Sequence, residues 1–486
     1  MAVDTIIGGT VYIDFLQVGE AGAINGNPKK MALSVYLPWY RNPIEYGDSP
    51  NAKNKGWYNW AWYESGPTSM MHYPENVLPN GQRDIASILY PIVGAYSNVD
   101  EGVLRYQFEI MKAANLDGIL ITDYGKEILQ DYRKCVDKMY KLAEEYDMKI
   151  ALQYEPKIHF ANWVPSTSGK SRDEKIQAII EDIIYIIEHY APMKSYLKID
   201  GKPVIPPFDA NLLSDTEWGY VKKQIKDRGF GEIYLIFDRI PDVGVKNIDA
   251  VYNWISGLDR NYPDYQSVYN FAKGHNERTD FWANNDFKNR LAIGVAWPGF
   301  DDTGVGGDWG SGTARKFPYL ENDPTGSTLA ATQNSVLNNN MDWIVYATFN
   351  DWNEATVIEP SVEFGYRFIQ EVQEFLEGFK GLPKGNRNLM QAITEKYIAE
   401  RDGGTKPEPE VTVTSAKVEA SVEKLNGNKN NLTIKITEQL SDGSVNIIEE
   451  TISINNNAAG TYEVGGYKVY VDTKGNTQIR ECYLVK

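Results

Sequence analysis

Eight short apolar runs recur along the first four hundred residues. They are MALSVYL (31–37), DGILITD (117–123), MKIALQYE (148–155), KPVIPPF (202–208), EIYLIFD (232–238), IDAVYNW (248–254), LAIGVAW (291–297) and DWIVYATF (342–349). Each is too short for a buried helix and rich in β-branched or aromatic residues, so each reads as a strand. Between most of them the period changes to that of a helix. EGVLRYQFEIMKAAN precedes the second run, EILQDYRKCVDKMYKLAEEY the third, DEKIQAIIEDIIYIIEHYA the fourth and SDTEWGYVKKQIKDR the fifth. YPDYQSVYNFAKGHN precedes the seventh run, TLAATQNSVLNNN the eighth, and FGYRFIQEVQEFLEGF follows it. Eight strands with intervening helices predict an α/β chain folded as a (β/α)8 TIM barrel. The rival is a doubly wound open sheet, which is weakened because no GxGxxG or phosphate loop follows any strand.

Past residue 400 the pattern changes. DGGTKPEPE (402–410) mixes Gly, Pro and acids as linkers do. Beyond it, VTVTSAKVEASV, NLTIKITEQL, NIIEETISI, TYEVGGYKVYV and TQIRECYLV are short runs, often alternating, split by turn residues. They predict a small all-β C-terminal domain. The expected organisation is a catalytic barrel over 1–400, a linker over 401–410 and an accessory module over 411–486, either carbohydrate-binding or a spacer.

A barrel places its chemistry at the C-terminal ends of its strands. Those ends read Trp39 and Tyr40, Asp123 and Tyr124, Glu155, Asp209, Asp238 and Arg239, Trp254, Asp301 and Asp302, then Asn350, Asp351, Trp352 and Glu354. Carboxylates and aromatics recur, without His, Cys or a phosphate loop. That set suits glycoside hydrolysis, in which two carboxyl groups share the acid, base or nucleophile work. FNDWNEATVIEP (349–360) is the strongest segment, because Asp351 and Glu354 are three apart and so share one face of a helical or turn-like backbone. It reads equally as an ordinary helix start, where acids are favoured. In the Gly-rich segment 298–322, Arg315 reads as an anchor for a hydroxyl or carboxylate, or as a loop-closing ion pair. Asp301, Asp302 and Asp308 lack the alternation of a calcium loop.

Composition narrows the partners. Lys and Arg number 49 against 66 Asp and Glu, a net charge of −17. That balance excludes a phosphate-backbone footprint and argues against anionic membranes. No apolar run is long enough to span a bilayer. Two distant cysteines and four unpaired histidines predict neither a disulfide framework nor a metal site, and no cofactor is expected. No signal peptide is visible at the N-terminus. The oligomeric state is not legible.

In order, VYLPWYRNP, PIVGAYSN, LDGILITDYG, KIALQYEP, GKPVI, WPGFDDT and FNDWNEATVIEP resemble glycoside hydrolase family 99, the endo-α-mannosidase and endo-α-mannanase group, over about residues 30–380. The resemblance implies a (β/α)8 barrel and retaining cleavage of an internal α-mannosidic link in a polysaccharide or glycan. The expected enzyme is secreted or at the cell surface, and bacterial. The family's Glu-Trp-x-Glu pattern makes Glu354 the general acid/base. The first position assists attack by the sugar 2-hydroxyl through a 1,2-anhydro intermediate, and here it is Asp351. Glu155, Trp39 and Tyr40 match substrate-binding positions; Asp123, Tyr124, Asp238, Asp301, Arg315, Asn350 and Trp352 complete the expected binding set. An Asp at the first position leaves three readings: a compensating backbone, a different 2-substituent such as an acetamido group that it orients, or a direct nucleophile. A non-catalytic glycan-binding barrel is the alternative from another class.

Overall fold

The computed structural model describes residues 30–43, 56–62, 71–127, 130–240, 246–286, 290–310, 312–402, 413–425, 428–440, 445–455, 457–474 and 478–485. Most of the expected linker therefore lies outside the described residues. The chain divides into two compact units, Met1–Tyr397 and Ile398–Lys486.

The first unit is a (β/α)8 barrel. Its strands are β1 (Met31–Tyr36), β2 (Gly118–Asp123), β3 (Lys149–Tyr154), β4 (Lys202–Ile205), β5 (Tyr234–Phe237), β6 (Ala250–Val251), β7 (Leu291–Ala296) and β8 (Trp343–Tyr346). Each pairs in parallel with the next, except β3 with β4, and β8 returns to β1. The seam between β3 and β4 closes through a parallel bridge from Tyr154 to Pro207. There the Tyr154 N–H donates to the Pro206 carbonyl (3.1 Å) and the Phe208 N–H to the Tyr154 carbonyl (2.8 Å). A two-residue strand, Lys198–Ile199, runs antiparallel beside β4.

Parallel strands covered on both faces should be apolar throughout, and β2, β7 and β8 are buried at every position. The apolar run at 202–208 yields a strand only to Ile205, because Pro206 and Pro207 supply no N–H to a ladder. The run at 248–254 shortens to two residues. Helices α1 (Glu101–Ala113), α2 (Gln130–Glu145), α3 (Arg172–His189), α4 (Asp215–Ile225), α5 (Tyr265–Phe281), α6 (Thr328–Asn338) and α7 (Arg367–Lys380) follow the expected stretches, and α8 (Leu389–Arg401) is a further helix, not among those expected. Among the described residues five begin where a side chain accepts a free N–H, Asp100 and Ser327 among them, and three of the five are reciprocal. Ser171 with Glu174, Ser214 with Glu217 and Asp264 with Ser267 form capping boxes.

Glycine is required where β2 meets β3. A Cβ at Gly118 would lie 2.1 Å from the Lys149 carbonyl oxygen, which is backbone and cannot turn aside. Gly118→Ala is expected to destabilise the barrel by about 1–3 kcal/mol. A urea midpoint lowered at unchanged slope will show it.

Past the end of α8 the described part of the second unit is β, as its alternating runs predict. Strands β9 (Val413–Lys424), β10 (Asn430–Leu440) and β11 (Val445–Ile454) form one antiparallel sheet. Strands β12 (Gly460–Val464), β13 (Tyr467–Lys474) and β14 (Gln478–Val485) form another. Leu432, Ile434 and Ile436 from the first meet Val464, Val469 and Val471 from the second in one core. Their spacing of two is the alternation read in the sequence.

Candidate active site

All eight strands of the barrel send residues to one cleft of about 960 Å³ at their C-terminal ends. Trp39 enters from β1, Thr122 and Tyr124 from β2, and Gln153, Glu155, Lys157 and Trp163 from β3 and its loop. Phe208 and Asp209 follow β4, Arg239 follows β5, and Trp254, Ile255 and Leu258 follow β6. Phe300, Asp308, Trp309 and Arg315 come from the β7 loop, and Thr348, Asp351 and Glu354 from the β8 loop.

The β8 loop folds back on itself. The Thr348 N–H donates to the Thr356 carbonyl at 2.7 Å, and the Glu359 N–H to that of Phe349 at 3.0 Å. Inside the loop the Asp351 N–H donates to Thr348 Oγ1 (2.7 Å), and the Glu354 N–H to Asp351 Oδ1 (3.1 Å). That last bond closes a turn with a short acidic side chain, so the two carboxylates are tied together by backbone. The residues around them face inward. Asn350 bridges Leu37, accepting its N–H (2.8 Å) and donating to its carbonyl (3.0 Å). Asn353 donates to the carbonyls of Asn59 and Ala86. The Tyr40 hydroxyl accepts from the N–H groups of Trp352 and Asn353. The sequence spacing thus leaves Asp351 and Glu354 on the cleft face.

Glu354 Oε1 accepts from the Trp309 indole and from Arg315 Nη2, each at 3.2 Å. Arg315 is itself held. Its Nε and backbone N–H both donate to Asp302 at 2.7 Å, and it pairs with Asp308 at 3.1 Å. Asp302 is fully buried and also accepts the Asp308 N–H, so it anchors the Gly-rich loop. Burial pushes Glu354 up to about 7, against the pull of Arg315 and the Trp309 hydrogen bond. Asp351 is also pushed up, first by burial and then by the charge of Glu354. Like charges this close share protons, so the pair titrates as a unit. Glu155 is raised to about 8, by burial and then by Asp209, with Lys157 and a Tyr124 hydrogen bond opposing.

Aromatic faces flank these acids. Trp39 stacks on Tyr124 (ring centroids 6.3 Å apart, 21° between planes) and meets Trp309 edge-on at 5.9 Å. Trp163 is exposed at the rim. Flat apolar faces beside carboxylates suit sugar rings, whose C–H surfaces stack while their hydroxyls find charged acceptors.

Of the residues the sequence singled out, Asp351, Glu354, Glu155, Trp39, Tyr124 and Arg315 line the cleft. Tyr40, Asn350 and Trp352, expected as substrate contacts, are instead buried beneath it, holding the β8 loop. Asp123, also expected to bind substrate, pairs with Arg133 at 2.7 Å and accepts the Gly125 N–H. Asp238 is buried and accepts the N–H groups of Asp209 and Ala210. Buried acids need donors, and at these strand ends the protein supplies them. Asp301 faces a neighbouring pocket of about 420 Å³, where Lys316 pairs with it at 2.8 Å. Asp302 and Asp308 turn onto Arg315. Among the described residues no group of three His, Cys, Asp or Glu side chains is placed to hold a metal ion. Sequence reasoning missed Trp309, Trp163, Lys157 and Phe208. A tryptophan inside a Gly-rich loop was the available signal for Trp309.

Comparison with known proteins gives likenesses of sequence and of fold. The family model for glycosyl hydrolase family 99 matches residues 29–370. A glycoprotein endo-α-1,2-mannosidase of Mus musculus is 21% identical over 351 residues, covering 68% of this chain and 67% of the relative. A glycoprotein endo-α-1,2-mannosidase-like protein of Homo sapiens is 20% identical over 351 residues, covering 68% of each. The structure of the family 99 endo-α-mannosidase from Bacteroides thetaiotaomicron superposes with a TM-score of 0.51 at 20% identity, covering 72% of this chain and 97% of that one.

Proposed function

Because the chain belongs to glycosyl hydrolase family 99, we propose that it cleaves an internal α-mannosidic or α-mannoside-like linkage with retention, using Asp351 and Glu354. The observation that carries this reading is the close carboxylate pair, with the Glu354 N–H donating to Asp351, in an aromatic-lined cleft. Asp351 takes the proton of the sugar 2-hydroxyl, and that oxygen attacks the anomeric carbon. Glu354 gives its proton to the leaving oxygen, which departs as an alcohol. Water then opens the anhydro sugar, with Glu354 taking the water's proton and Asp351 returning its own. Arg315 and Trp309 stabilise the ionised Glu354 that the first step leaves behind. Glu155, raised to about 8 in the same cleft, binds a sugar hydroxyl as donor or acceptor. Trp39, Tyr124 and Trp163 stack on the sugar faces. A polysaccharide or glycan substrate supports a position outside the cell or at its surface.

The test is release of reducing ends from a panel of α- and β-linked polysaccharides and high-mannose glycans. Internal cleavage of an α-mannoside, with the α-anomer formed first by NMR, is the expected result. No release from any member by freshly folded protein, together with binding of one of them, overturns it in favour of a glycan-binding barrel.

A further inference from the structure

Behind the β8 loop lies a buried carboxylate that the reaction does not touch. Glu359 is 2% exposed and faces donors only. Its Oε1 accepts from Gln107 Nε2 at 2.8 Å. Its Oε2 accepts from the Tyr96 hydroxyl at 2.8 Å and from the Trp352 indole at 3.2 Å. No arginine or lysine pairs with it among the described residues. Burial pushes this carboxyl up to about 7, while the hydrogen bonds from Gln107, Tyr96 and Trp352 favour its ionised form. A plain packing residue at this position avoids the cost of burying it.

The direction of the hydrogen bonds shows what the charge does. A hydroxyl has one proton, and Tyr96 gives its proton to Glu359. The lone pairs of Tyr96 are then left to accept from Asn350 Nδ2 (3.3 Å) and Trp352 Nε1 (3.0 Å). Those two residues flank Asp351 in the chain. We propose that Glu359 is a positioning residue for the reaction: by orienting the Tyr96 hydroxyl as an acceptor, it fixes both neighbours of Asp351 and so sets where that carboxylate stands in the cleft. The inference rests on the carboxylate pair being the catalytic one.

The network also dictates its own control. Gln107 Oε1 accepts from the Tyr36 hydroxyl, which accepts from Asn98. In Glu359→Gln the single amide oxygen stays with the Gln107 NH2, and the new NH2 then opposes the Tyr96 proton, which loses its acceptor. If Gln107 turns over instead, the Tyr36 proton loses its acceptor. Exchanging the two residues, Glu359→Gln with Gln107→Glu, moves the carboxylate one place along the chain of bonds and restores every one of them.

Three variants are compared with wild type on the cleaved glycan: Glu359→Gln, the exchange, and Tyr96→Phe. Amide hydrogen exchange is measured over 348–358 in the same proteins without substrate. Glu359→Gln and Tyr96→Phe are expected to lower kcat about 100-fold, the scale of a misplaced reacting group, with KM within about threefold of wild type. Exchange in 348–358 should quicken, and the residue exchange should return both readouts to near wild type. A kcat within about threefold of wild type in either single variant overturns the proposal. So does a fall in kcat with unaltered loop exchange, or a folded double variant as slow as the single one. If Glu359→Gln does not fold, Tyr96→Phe carries the test alone. If wild type itself cleaves nothing, the hydrolase reading fails separately. Loop exchange still decides whether Glu359 holds Asp351, and unchanged exchange overturns that.

Discussion

Glu354→Gln should reduce turnover about 1,000-fold or more with the melting temperature nearly unchanged, because an amide cannot supply the proton that the leaving oxygen needs. The substitution is isosteric. Its Oε1 contacts with Trp309 and Arg315 are each 3.2 Å long, and the amide oxygen can keep them. The pH profile sharpens the expectation. On the proposed mechanism the pair works with one proton between its two members. Glu354, raised to about 7, is protonated below that pH and loses its proton above it, so kcat should fall as pH rises through about 7. At low pH both acids hold protons, Asp351 cannot accept another, and activity falls again. The profile is therefore a bell whose limbs belong to the pair. In Glu354→Gln the alkaline limb should vanish with the bulk of the activity. Full activity in a folded Glu354→Gln protein removes this residue from the reaction.

Asp351→Asn should be nearly as severe, about 100-fold to 10,000-fold in kcat, because the neutral amide cannot take a proton from the sugar. Its shape still allows Oδ1 to accept the Glu354 N–H, so the turn should survive. That bond also gives a physical reason for an aspartate where the family resemblance expects glutamate. A short side chain closes onto the N–H three residues ahead, whereas a longer one overshoots it. A substrate whose 2-hydroxyl is replaced by hydrogen separates the two chemistries open to Asp351. If the 2-oxygen attacks, that substrate is inert to wild type. If Asp351 attacks directly, it is cleaved and a covalent intermediate accumulates. Retained activity in Asp351→Asn assigns the residue to the turn alone.

How much of this was legible beforehand differs by residue. The eight apolar runs located the barrel strands because a strand buried on both faces leaves a continuous apolar mark. The trimming at Pro206 was legible in principle, since proline donates nothing to a ladder. The pairing of Asp351 with Glu354 was legible because three-residue spacing acts locally. Tyr40, Asp123 and Asp238 stand at strand ends as an active-site residue would, yet each is turned to a protein partner: a loop N–H, an arginine, a pair of backbone N–H groups. Spacing along one strand says nothing about which donor arrives from another.

The sequence by itself therefore determined the periodic features: eight buried strands, their helices, an alternating β module, and two acids on one face of a loop. Those depend on contacts a few residues apart. Only the tertiary structure decided that Trp309 and Arg315 close on Glu354, and that Asn350 and Trp352 serve the loop and not the substrate. It alone set Glu359 against Tyr96, a residue 263 positions earlier. Those contacts are made by chain segments that barrel closure brings together, and no local pattern encodes them.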